Sequence, residues 1–190
     1  KFNQFQLYFE HTFAFPSHPE ISSGADPLTP EDIRALDRHC RRFHIDLIPN
    51  LQSIGHLRPL LSLPRFQHLA ETPWHWSFAT SSDEGFTLLD ALYGEMMPAF
   101  SSDKFNVNAD EPWDFGRGQS SERAREVGLG RLYLEHIKRL HQLVSGRGKR
   151  MAMWADMFWH YPELVSELPD DILLLDWWYE RKPSYDTVNV

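Results

Sequence analysis

Apolar positions in this chain fall into two alternating patterns. Short dense runs give way to longer stretches in which an apolar residue returns every three or four positions. Dense runs bounded by turn residues predict strands, and the wider spacing predicts amphipathic helices. The first run is Phe2 to Phe9. A loop rich in Pro, Ser and Gly follows, then a helix opening at Thr29-Pro30-Glu31-Asp32 with Ile33, Leu36, Cys40 and Phe43 as its stripe. Thr29 suits the N-cap, Pro30 the first turn, and the two acids complement the helix dipole. Asp46 to Leu51 is the second strand, followed by a short helical stretch over Leu57 to Leu63. A helix from Phe86 to Met97 precedes the third strand, Phe105 to Asn108. The longest helix is predicted from Ser121 to Val144, with Gly146 as its stop. Arg150 to Trp154 is the fourth strand. A short helix near Pro162 to Leu168 leads to the fifth, Ile172 to Asp176.

Strand and helix thus alternate along the chain. Near-continuous apolar strands suit a parallel sheet buried on both faces. Right-handed crossovers then place every strand end on one side. The pattern is that of an α/β barrel or a doubly wound sheet. No Gly-x-Gly-x-x-Gly follows a strand and no Gly-Lys-Ser/Thr loop occurs, which argues against a dinucleotide or nucleoside-triphosphate site.

Composition narrows the chemistry. The 190 residues suit one domain, taken as 1–190. A net charge of −8 argues against nucleic acid, which needs a basic face. The basic cluster Gly146 to Arg150 reads as a solvated turn. Cys40 is the sole cysteine, so no disulfide or zinc ribbon forms, and its helical position makes it a buried apolar residue. No run is long and apolar enough for a membrane span. The chain opens directly on a strand with no leader, so it reads as a piece of a longer protein, with the cytoplasm as the expected compartment.

The third strand leads into Asp110-Glu111. Neighbouring residues on a regular strand point to opposite faces, so a chain that turns here can deliver both acids to one cleft. Carboxylates at the C-terminal ends of parallel strands lie where α/β barrels keep their catalytic groups. The other strand ends are as polar and aromatic. Glu10 and His11 follow the first; Asn50, Gln52 and Gly55-His56 the second; Trp113 and Asp114 come after the acids. Trp154 ends the fourth, with Asp156 two residues on, and Asp176-Trp177-Trp178-Tyr179-Glu180 ends the fifth. Acids, His and some of the seven Trp, with few Lys or Arg, suit a neutral polyol better than a phosphate. Carboxylates bind sugar hydroxyls and supply the acid and base of glycoside cleavage.

Phe105-Asn-Val-Asn-Ala-Asp110-Glu111 resembles the fourth-strand signature of family 20 glycoside hydrolases, the β-N-acetylhexosaminidases. Ile48-Pro-Asn-Leu-Gln-Ser-Ile-Gly55-His56 is similar to that family's third-strand motif, with Asn50 and Gln52 where acids are common. Met153-Trp154-Ala-Asp156 and Leu175-Asp176-Trp177-Trp178 are similar to the strands that follow. The opening Asn3 to Tyr8, Glu10-His-Thr-Phe13 and Gly116-Arg-Gly118 look most like the hexosaminidase D branch. The resemblance implies a (β/α)8 TIM barrel of which this chain supplies about strands 2 to 6. Open sheet edges then lead us to expect association, including a homo-oligomer.

The resemblance also implies substrate-assisted cleavage of a glycan containing N-acetylglucosamine or N-acetylgalactosamine. Glu111 would be the proton donor and later the base. Asp110 would hold the acetamido group, with Trp154 and Trp177 walling its pocket. His56, Glu10, His11, Trp113 and Asp156 would contact substrate or support those that do. No metal and no organic cofactor is implied. Two other readings stay open: a metal-dependent barrel hydrolase using His11, His56, Asp110 and Glu111, and a non-catalytic carbohydrate-binding barrel piece.

Overall fold

The computed structural model describes residues 2–181 and 183. Five strands form one parallel sheet: β1 (Gln4–Phe9), β2 (Asp46–Leu51), β3 (Lys104–Asn106), β4 (Arg150–Trp154) and β5 (Leu173–Leu175). Their order in the sheet is their order in the chain. Every pair is parallel, from Gln4 against Asp46 at one edge to Trp154 against Leu175 at the other. A doubly wound sheet reverses its strand order at a switch point. This sheet never reverses, so it is a section of a (β/α)8 barrel wall.

The helices are α1 (Pro30–Arg42), α2 (Arg58–Leu61), α3 (Asp83–Met96), α4 (Ser121–Val127) and α5 (Leu129–Ser145). The α1 start is a capping box: Thr29 Oγ1 accepts from the Asp32 amide, and Asp32 Oδ2 accepts from the Thr29 amide. Ile33 and Cys40 of its stripe are buried, whereas Phe43 is mostly exposed at the C-cap.

The long helix expected over Ser121 to Val144 is two helices. Gly128 breaks it with φ +84° and ψ 152°, a backbone open to glycine and strained for any residue with a Cβ. The helical stretch near Pro162 is a 3-10 turn over Pro162–Glu167. The basic turn is not simply solvated. Arg147 donates to the Asp90 carboxylate and the Leu143 carbonyl, and Lys149 Nζ donates to the Ser102 carbonyl.

Strand side chains alternate between two surroundings, as period two requires. Phe9, Leu47, Leu51, Phe105, Met151 and Met153 join the apolar core with residues of α3 and α5, such as Tyr93 and Leu140. The opposite face is more polar than near-continuous apolar runs suggest. Gln6, Tyr8, Asn50 and Asn106 lie on it, and Gln6 Oε1 accepts from Asn50 Nδ2 at 3.0 Å and Asn106 Nδ2 at 2.6 Å. Buried amides cost little once paired in this way. They floor the space into which the strand ends open.

Candidate active site

The acidic pair does not continue the strand. β3 ends at Asn106, and the chain then enters left-handed backbone at Asn108 (φ +59°), Ala109 (φ +66°) and Glu111 (φ +45°). Such conformations cost of order 1 kcal/mol or more per residue with a side chain and persist only where the surroundings hold them. Here the holding groups are visible. The Trp154 amide donates to the Asn108 carbonyl, and Tyr133 Oη donates to the Ala109 carbonyl at 2.7 Å. Trp76 Nε1 donates to the Glu111 carbonyl at 2.8 Å, and Asp156 Oδ2 accepts from the Glu111 amide at 3.2 Å. Gly55 completes the set by having no side chain. A Cβ there would stand 2.6 Å from the Asp110 carbonyl oxygen.

The turn brings both carboxylates to one cleft. His56 Nε2 stands 3.4 Å from Asp110 Oδ2 and 3.5 Å from Glu111 Oε2. Gln52 Nε2 donates to Asp110 Oδ1 at 3.0 Å and to Tyr8 Oη at 3.2 Å. The His56 ring packs on Trp76, with centroids 4.5 Å apart. Burial pushes the Asp110 carboxyl upward, but interactions with His56 and Gln52 outweigh this and hold it below its usual range. Burial pulls the His56 imidazole down, and Asp110, Glu111 and Glu10 more than reverse that, leaving it raised. Asp156 is also raised, by burial first and then by the charges of Asp110 and Glu111.

The cleft has a volume of about 630 Å³. Gln6, Tyr8, Asn50, Gln52 and Asn108 form its amide and phenol floor, and Trp154, Trp177, Trp178 and Tyr179 add aromatic walls beside His56, Asp110 and Glu111. Among the described residues the lining contains no Lys or Arg. A polar floor with flat apolar walls and two acids suits a neutral, hydroxyl-bearing ligand.

The structure gathers Asp110, Glu111, His56, Trp154 and Trp177 around this cleft. It places the other expected residues elsewhere. Glu10 accepts from Tyr8 Oη at 2.8 Å and lies outside the lining, as does half-buried His11. Trp113 and Asp156 line a smaller neighbouring hollow, which shares Glu111 and Trp177 with the main cleft. Trp113 is 61% exposed there, while Asp156 holds the Glu111 backbone from beneath. Trp178 lines the main cleft beside Trp177, and Trp159 stacks on it at 4.8 Å.

Sequence reasoning passed over Trp76 and Tyr133, because both reach the Asp110-Glu111 turn from distant elements. Gln6 and Tyr8 had a readable signal: they alternate with Leu7 and Phe9 on β1.

Donor atoms of His56, Asp110 and Glu111 lie within 4.8 Å of one another, the spacing of a three-ligand ion cluster. His11 is not part of it. A metal needs a neutral imidazole, whereas the two acids favour the protonated form of His56. A cation here would have to displace that proton.

The structure is thus a barrel-wall section with acids, a histidine and indoles gathered at its strand ends. The model of the glycosyl hydrolase family 20 catalytic domain matches residues 10–189, so the chain belongs to that family. It is 21% identical to human hexosaminidase D over 168 residues, covering 85% of this chain and 35% of that protein. The chain therefore spans about a third of the length of that curated relative. A chitobiase from Flavobacterium johnsoniae superposes with a TM-score of 0.80 at 18% identity, over 95% of this chain and 30% of that one. An exo-β-N-acetylglucosaminidase from Vibrio harveyi, solved with N-acetylglucosamine, superposes with a TM-score of 0.72 at 15% identity. It is covered over 33% of its length, and this chain over 93%. At such identities the superpositions establish the barrel fold.

Proposed function

We propose that the protein carrying this chain is a β-N-acetylhexosaminidase, acting on glycans that end in an N-acetylated hexosamine. One observation carries the reading: adjacent Asp110 and Glu111 are turned into a single cleft with His56 against both. Their nearest ligating oxygens are no more than 4.8 Å apart. In substrate-assisted cleavage the nucleophile is the substrate's own acetamido oxygen, so retention follows from two displacements at one carbon and not from the carboxylate spacing.

In the proposed course the sugar's acetamido oxygen attacks the anomeric carbon as the bond to the leaving oxygen breaks. Glu111 gives its proton to that oxygen. Asp110, held anionic by His56 and Gln52, accepts from the acetamido N–H and faces the positive oxazolinium ring. Water then attacks the same carbon, Glu111 takes back a proton, and the ring reopens. The configuration at the anomeric carbon is kept. Trp154 and Trp177 close the sides of the acetamido pocket and exclude competing water.

The test is hydrolysis by the complete reading frame, comparing an aryl N-acetyl-β-glucosaminide with the aryl β-glucoside that lacks the acetamido group. Cleavage of the first alone is expected. Glu111→Gln is expected to lose about 10²–10⁴-fold on a poor leaving group, the usual size of general acid–base catalysis. Equal cleavage of both substrates points instead to a conventional two-carboxylate enzyme. Activity lost to a chelator points to the metal-dependent reading. Sugar binding with no turnover points to a binding module.

A further inference from the structure

Asn108 stands at the first left-handed position after β3. Asparagine is among the few residues with side chains that tolerate this backbone. The residue is 1% exposed, and the two ends of its amide meet different surroundings. Oδ1 accepts from Trp154 Nε1 at 2.9 Å. Nδ2 is buried without a partner, in a residue that lines the main cleft. A buried amide N–H left unpaired is costly, so it marks a place for an acceptor. Asn50 Oδ1 and Gln52 Oε1, in two other residues of the cleft floor, are also buried without a partner.

We propose that Asn108 is a ligand-selecting residue of this cleft, with a separate task for each end of its amide. Oδ1 fixes the Trp154 indole as a wall of set orientation. Nδ2 donates to a neutral acceptor oxygen of the bound sugar, a hydroxyl or the acetamido carbonyl. A carboxylate at this position could hold the indole but could not donate. Glycine could keep the backbone but could do neither. Asparagine is the side chain that combines left-handed backbone, an acceptor for the indole and a donor for the ligand. The choice of ligand rests on the hexosaminidase reading, whereas the indole contact stands without it.

The experiment uses Asn108→Gly and Asn108→Asp in the complete reading frame, with N-acetylglucosamine as the probe. Two quantities are read: the Trp154 indole N–H resonance without ligand, and the affinity by titration. In Asn108→Gly the indole proton should lose its hydrogen-bonded shift and exchange faster with solvent. Affinity should fall about tenfold, the size of one neutral hydrogen bond. Asn108→Asp should keep the indole shift and still lose affinity, which a purely structural role does not predict. Parent-like affinity in both variants overturns the ligand contact. An unmoved indole proton in Asn108→Gly overturns the positioning of Trp154. If the unsubstituted protein does not bind the sugar, the hexosaminidase reading and the ligand contact fall together. The indole proton then judges the positioning alone.

Discussion

Residue identities at the site make sense as one electrostatic set. Asp110 and Glu111 each stand within 3.5 Å of His56 Nε2, and Asp110 and His56 favour each other's charged form. The linkage has two signs. A raised His56 contributes stability that is complete below its ordinary imidazole pKa and lost as pH climbs through the raised value. A depressed Asp110 contributes stability present above its ordinary carboxylate pKa and lost as pH falls through the depressed value. The pair therefore supports the fold best in the window between. Urea midpoints followed from about pH 7 to 9, above the range in which His136 affects stability, should decline for the parent as His56 deprotonates. His56→Gln should lack that decline. Parallel profiles for the two proteins would show that His56 is not coupled to the acids in the folded state.

At the scale of elements, the site depends on how closely two loops approach. The turn after β3 and the loop after β2 meet where Gly55 lies against the Asp110 and Glu111 backbone. Gly55→Ala must push the acids away or strain its own loop, at a cost of about 1–3 kcal/mol, as for other overpacked sites. Gly118 is a matched control. A Cβ there would meet the Glu71 carbonyl at 1.7 Å, in a contact between loops that does not line the main cleft. Both substitutions should lower the urea midpoint. Only Gly55→Ala should weaken N-acetylglucosamine binding beyond what lost stability explains. Equal binding in the two variants would mean that the close approach at Gly55 serves packing alone.

For the molecule as a whole, the buried core carries one group that resists acid. His136 on α5 is fully enclosed, with Nε2 against the Ser53 carbonyl at 3.2 Å and its ring on Phe86. Burial holds its imidazole down at about 3, against an ordinary value of 6.5. Between those values the unfolded chain binds a proton that the folded chain refuses. Stability is thus complete above pH 6.5 and falls as pH drops toward 3, by at most about 1.4 kcal/mol per pH unit. Substituting His136→Gln keeps a donor and removes the titration. The acid limb of the stability–pH curve should then become shallower by up to one proton. An unchanged slope would mean that the imidazole finds a proton inside the fold.

Much of this protein was legible in its residue pattern, because local rules govern it. Dense apolar runs placed the strands and three-to-four spacing most helices, Thr29 and Asp32 marked the α1 cap, and polar groups marked the strand ends. The acidic pair and His56 stood out through the same local signal joined to the family's motifs. What the pattern left unresolved depends on groups far apart in the chain. Gly128 can end a helix or sit quietly within one, and only packing around α4 and α5 chose the break. A doubly wound sheet and a barrel share the same strand–helix alternation, and the unreversed strand order alone separates them. Glu10 and His11 looked as well placed as His56, yet only His56 reaches both acids. Trp76, Tyr133 and Asn108 lie at positions that sequence spacing does not connect. They meet at the Asp110-Glu111 turn because strained backbone persists only where distant hydrogen bonds converge on it.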